Sequence, residues 1–147
     1  MLGGLGKTIK QVFGTKYDRD VKQYAPIVEE INEIYATLQE LSNDELRNKT
    51  LAFRERISEF LTDIDAEIAR VSAEAEATED LLQKEALFKE IDELIEEKDK
   101  EQELILKEIL PEEFAVVKET ARRFTEEKEI VVTATDHDRE LAANPKK

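Results

Sequence analysis

Between Asn43 and Leu110 the chain contains neither a glycine nor a proline. All four glycines fall at or before Gly14, and the prolines are Pro26, Pro111 and Pro145. Leu, Ile, Glu and Lys dominate the breaker-free run, and these residues lose little side-chain freedom in a helix. Unbroken, such a helix is far longer than the average of ~11–12 residues. An apolar edge of that length needs a cover, and the nearest cover is the other half of the same segment.

The edge is written in the residues. Ile57, Leu61, Ile64, Ile68 and Val71 alternate spacings of four and three, which places them on one helix face, with Phe60 beside it. A second, poorer line runs Leu81, Phe88, Ile91, Ile95, Ile105 and Ile109, with Lys84, Lys98 and Gln102 at in-register positions. Between the two lies a small, polar stretch, Ser72 to Thr78. Thr78 can cap the next helix, with Glu79 and Asp80 in its first turn. The pattern predicts two antiparallel helices, over 56–75 and 79–110. The competing reading is one continuous helix that dimerises with another chain.

Composition narrows the rest. The chain has 147 residues, 40% hydrophobic and 39% charged, with nine aromatics and no cysteine. One small helical domain fits these numbers, while a disulfide framework and a thiolate metal site are excluded. No apolar run approaches the ~20 residues of a membrane span, and the N-terminus lacks the apolar core of a signal peptide. The net charge of −14 argues against nucleic-acid binding. Charge is unevenly placed: Met1 to Tyr24 is basic, whereas Glu55 to Leu110 holds 19 acidic against 7 basic residues.

The remaining segments read as follows. Met1 to Gly14 places Leu2, Leu5, Ile9, Val12 and Phe13 on one face, with Lys7 and Lys10 flanking. A basic amphipathic segment of this kind suits an anionic membrane surface or a partner protein. Gly6-Lys7-Thr8 imitates the end of a phosphate-binding loop, but Met1 stands where the first glycine belongs, and no strand precedes it. Tyr24 to Leu41 carries a broad apolar stripe (Ile27, Val28, Ile31, Ile34, Tyr35, Leu38), with Pro26 suited to a first turn. Ser42 and Glu45 form a capping box that starts another helix. Pro111 is expected to end the hairpin and to start a final helix with Phe114, Val117, Ala121 and Phe124 on one face. Ile130 to Thr135 has strand composition without a partner strand, and the polar tail stops as though cut from a longer protein.

Three stretches carry a resemblance. Leu41-Ser42-Asn43-Asp44-Glu45-Leu46, followed by Lys49-Thr50-Leu51-Ala52-Phe53-Arg54, is similar to the "LSDEEL…KTxxFR" region of the SecA family, the motor ATPases of bacterial protein export. Leu110-Pro111-Glu112-Glu113-Phe114-Ala115-Val116-Val117 through Arg123 resembles that family's "LPEAFAVVREAxxR", and Val12-Phe13-Gly14 with Asp18-Arg19 matches "VFGxxxDR". Against the common pattern, most of Ile57–Ile109 is an insertion, and Lys128 to Lys147 also differs. The resemblance implies an ATP-driven preprotein translocase for the parent protein, with ATP and magnesium bound downstream. It implies a SecYEG-type membrane channel, anionic lipid and preprotein as partners, a homodimer contact, and a cytoplasmic protein peripheral to the inner membrane.

The expectation is therefore an all-α fold, a small helical bundle with a protruding antiparallel coiled-coil hairpin. Residues 1–17 form the basic N-terminal segment, 18–55 and 111–125 the helical base, 56–110 the acidic hairpin, and 126–147 a polar, poorly ordered tail leading to a motor domain. Leu2, Leu5, Lys7, Ile9, Lys10, Val12 and Phe13 are the candidate membrane or partner contacts. No catalytic, cofactor or metal residue is expected: His137 is the one histidine, and its neighbours Asp136 and Asp138 do not converge with it on one ion. Glu93, Glu96, Glu97, Glu101 and Glu103 read as a solvated face. The alternative reading is an autonomous adaptor whose acidic hairpin docks a basic partner.

Overall fold

A computed structural model describes residues 15–144. Five α-helices occur among them: α1 (Lys16–Leu38), α2 (Asn43–Phe60), α3 (Thr62–Ala77), α4 (Leu81–Glu126) and α5 (Asp136–Ala143). No strand occurs among the described residues, and the fold is all-α.

Side chains set most helix starts. Thr15 accepts the Asp18 amide at 3.2 Å, and the Asp18 carboxylate accepts the Thr15 amide at 2.6 Å, so α1 begins ten residues before Pro26. Pro26 thus lies inside a helix, in a stretch whose freed carbonyl faces water. The Ser42–Glu45 box starts α2 as the sequence indicates, with contacts of 3.2 and 2.7 Å. Asp80, rather than Thr78, caps α4: its carboxylate accepts the Leu82 amide at 2.9 Å, while the Thr78 hydroxyl donates to Gln83.

Two departures concern continuity. Helices α2 and α3 are separated by Leu61 alone, whose backbone sits at φ −92°, ψ 2°. The Thr62 hydroxyl donates to the Ser58 carbonyl at 2.8 Å, a back-bond that bends helices. Pro111 does not end the long helix: α4 passes through it and runs 46 residues. An interior proline costs about 3 kcal/mol. Burial on both sides of it, at Ile105, Ile109, Ala115 and Val116, offsets that cost, as does Glu112, which holds Lys49 (3.0 Å) and Arg56 (2.8 Å).

All the larger helices pack on α4. Cross-links between α2–α3 and α4 fall in reverse order: Lys49 to Glu112, Arg56 to Glu108, Asp65 to Lys98, and Arg70 to Glu90. The α2–α3 pair therefore runs antiparallel to α4. Helix α1 runs in the same direction as α4, since Asn32 meets Lys118 and the Leu38 carbonyl meets Arg123. Two cores result. One joins Leu38, Leu46, Phe53, Ile105, Ile109, Ala115 and Val116; the other, toward the α3–α4 turn, joins Val71, Ala75 and Leu87.

The register along α4 differs from the sequence reading. Ile57 to Val71 face inward, but their partners are Leu87, Ile91 and Leu94, with Lys98 and Ile105 continuing the line. Leu81, Phe88 and Ile95 face solvent. Ile105 and Ile109 must reach Leu46 and Phe53 in the base, which fixes the rotation of the whole helix. Counting back from Ile105 by alternate fours and threes leads to Leu87, and the small Ala75 admits it. The C-terminal stretch is rotated likewise: Phe114, Val117, Ala121 and Phe124 lie outside, and Ala115, Val116, Glu119 and Arg123 lie inside. Leu87→Ala should therefore lower stability by about 2–4 kcal/mol, and Phe88→Ala by no more than about 0.5 kcal/mol, in urea denaturation.

Candidate functional site

The corner where α1 turns into α2 is closed by a charge buried in α4. The last carbonyls of a helix lack partners within it. Arg123 supplies them, donating to the Leu38 carbonyl at 3.2 Å and the Leu41 carbonyl at 2.7 Å. Its other nitrogens donate to Asn43 Oδ1 (2.7 Å) and Glu119 Oε1 (2.7 Å). Arg122 grips the same carboxylate at 2.8 and 2.9 Å. Glu119 is 0% exposed, yet its carboxyl is held down at about 2 from an ordinary 4.5. The Arg122 hydrogen bond is the largest cause; burial opposes it, and Arg123 adds to it. No buried side-chain polar atom lacks a partner among the described residues.

Asn43 links this clamp to a second tie. Its Nδ2 donates to the Val131 carbonyl at 3.1 Å. Residues 127–135 run without helix or strand across the start of α2. There Asp44 accepts the Thr133 amide (2.9 Å) and hydroxyl (2.6 Å), and both hold its carboxyl below the usual range. Thr135 and Asp138 form a capping box for α5, and Asp138 accepts Arg47 Nη2 at 2.9 Å. Thr135, ahead of Arg47, holds the Asp138 carboxyl at about 2. The segment read as a partnerless strand, in a tail expected to be poorly ordered, meets side chains of α2 instead. Beneath it Leu46, Val116, Phe124, Ile130 and Val132 line a cleft of about 570 Å³.

The residues singled out from the sequence, Leu2, Leu5, Lys7, Ile9, Lys10, Val12 and Phe13, lie outside the described residues. Sequence reasoning did not single out Glu119, Arg122 or Arg123. The available signal was the four-residue spacing of Glu119 and Arg123 beside the apolar Ala115-Val116 pair. Among the described residues no three His, Cys, Asp or Glu side chains could hold a metal, and no helix is long and apolar enough to cross a membrane. No glycine occurs among them either. The described residues form a long helix, braced at one end, with a polar strap fastened across the brace.

A family model described as the SecA DEAD-like domain matches residues 9–135. The chain belongs to the SecA family. It is 43% identical over 97% of its length to the protein translocase subunit SecA of Phocaeicola vulgatus. It is 42% identical over 95% to that of Flavobacterium psychrophilum, and 43% identical over 99% to that of Cytophaga hutchinsonii. These alignments run through the paired α3–α4 segment, so these SecA relatives share it. The chain spans only 12–13% of their length. No solved structure matches it.

Glu119 gives a direct test of the clamp. Its lowered carboxyl stabilises the fold fully above about pH 4.5, and that share is lost as pH falls toward 2. Glu119→Gln leaves Arg123 buried without a counter-charge and should cost about 3 kcal/mol at pH 7. In thermal or urea melts the gap to the unmodified chain should narrow steadily between pH 5 and pH 2.

Proposed function

We propose that this chain is the N-terminal part of an ATP-driven translocase that pushes preproteins through a membrane channel. What carries the reading is identity of 43% over 97% of the chain to a protein printed as protein translocase subunit SecA. ATP and magnesium act elsewhere in the longer protein. The contribution of this part is contact and leverage. Lys7 and Lys10 meet anionic headgroups of the inner membrane's cytoplasmic face, and Leu2, Leu5, Ile9, Val12 and Phe13 insert among the acyl chains or against a SecYEG-type channel. A second copy of the parent can share the same contacts as a homodimer. The clamped corner holds the C-terminal end of α1, and the N-terminal segment continues from the other end of that helix.

Co-sedimentation with vesicles containing anionic lipid tests this role. The chain should pellet with the vesicles, lose binding in high salt, and lose it again when Lys7 and Lys10 are both changed to Glu. Equal recovery with neutral vesicles, or no binding at all, would remove the membrane role.

A further inference from the structure

The strap that follows α4 covers an apolar cleft, and its middle is joined to the buried clamp through one side chain. Ile130 and Val132 line the cleft with Leu46, Val116 and Phe124. The strap is fastened at both ends. The Glu127 amide donates to the Arg123 carbonyl at 2.9 Å, and the Thr133 amide and hydroxyl donate to Asp44. Between these anchors residues 128–132 make one hydrogen bond to the described residues, accepted by the Val131 carbonyl from Asn43 Nδ2 at 3.1 Å.

An asparagine amide presents a donor on one side and an acceptor on the other, and turning it over exchanges them. Arg123 fixes which way this one points. A guanidinium only donates, so Asn43 Oδ1 faces Arg123 Nη1, at 2.7 Å. Nδ2 is then directed at the Val131 carbonyl, which only accepts. Turned over, the amide would set donor against donor on one side and oxygen against oxygen on the other. Arg123 is itself held by Glu119 Oε1 and by the Leu38 and Leu41 carbonyls. A chain of hydrogen bonds thus runs from the buried carboxylate through Arg123 and Asn43 to the strap, and members of such a chain strengthen one another.

We infer that the strap is a releasable cover, latched over the cleft by Asn43, and that Arg123 sets the latch by fixing the direction of that amide. The Arg123 side chain makes no hydrogen bond to residues 128–132, so it acts on the cover through Asn43, as a positioning residue. Release frees residues 128–132 between their two anchors and uncovers Leu46 and Val116, which are 5% and 9% exposed with the cover shut.

A nitroxide on Val131→Cys reads the cover directly, since Val131 is 73% exposed and the chain has no cysteine. With Asn43 in place most of the label should be immobile. Asn43→Asp keeps an oxygen for Arg123, now charged, but sets a second oxygen against the Val131 carbonyl. The ratio of mobile to immobile label should rise about tenfold, the scale of a hydrogen bond lost with its partner left unpaired. The melting temperature should not fall, because the acid strengthens the bond to Arg123 and suits the first turn of α2. Asn43→Ala removes both bonds, so it should free the label and lower the melting temperature as well. Arg123→Met should free the label too, and should add nothing in the Asn43→Asp background. An unchanged ratio in Asn43→Asp overturns the inference, as does a label already mobile with Asn43 in place. Additive gains in the double variant overturn the coupling to Arg123. A melting temperature lowered equally by Asn43→Asp and Asn43→Ala reduces Asn43 to a structural support and also overturns it. Should Arg123→Met lose its helical circular dichroism, the two Asn43 variants decide alone.

Discussion

Water does not tolerate a long apolar helix edge, and here one 46-residue helix, α4, provides the edge against which the larger helices settle. Helices α2 and α3 cover one flank in sequence, and α1 covers another near its C-terminal half. Because every core residue contributed by α4 is fixed by the same rotation, the two cores are not independent. Ile105 and Ile109 set the base, and Leu87 follows from them along one heptad line. Continuity through Pro111 is what transmits that rotation. Had the helix broken there, the hairpin half and the base half could have turned separately.

The polar interactions divide by burial. Arg123 and Glu119 are sealed in and fully partnered, so their loss strands a charge and unfastens the α1–α2 corner. The ties of Asp44 to Thr133 and Arg47 to Asp138 are open to water and contribute less each. They fix where the chain runs after α4 rather than whether the base folds. Asn43 bridges the two sets, donating to the strap and accepting from the clamp.

Much of this was legible in the residues. The absence of glycine and proline between Asn43 and Leu110 announced long helices, and the Ser42–Glu45 box located a start that the structure reproduces. The family resemblance rested on three short motifs spread from Val12 to Arg123, and the family model that matches residues 9–135 agrees with it. What sequence did not reveal was decided by tertiary contact. Pro111 reads locally as a stop, and only burial around it and the Glu112 ion pairs keep the helix running. Phe88 and Phe114 look more suited to a core than Leu87 and Ala115. The face is chosen instead by close approach at small residues and by the acceptors waiting for Arg123. The Thr133–Asp44 tie joins residues 89 positions apart, and no local pattern encodes such a pairing.

Continuity of α4 is the claim on which the remainder rests, and a distance measures it. The chain has no cysteine, so Glu93→Cys and Ala121→Cys place two nitroxide labels on exposed positions either side of Pro111. An unbroken helix separates these backbones by ~42 Å. Double electron–electron resonance should give one narrow distribution near that span. A distribution that is markedly shorter, or broad and multiple, would mean that the segment breaks at Pro111 into two helices free to turn on their own.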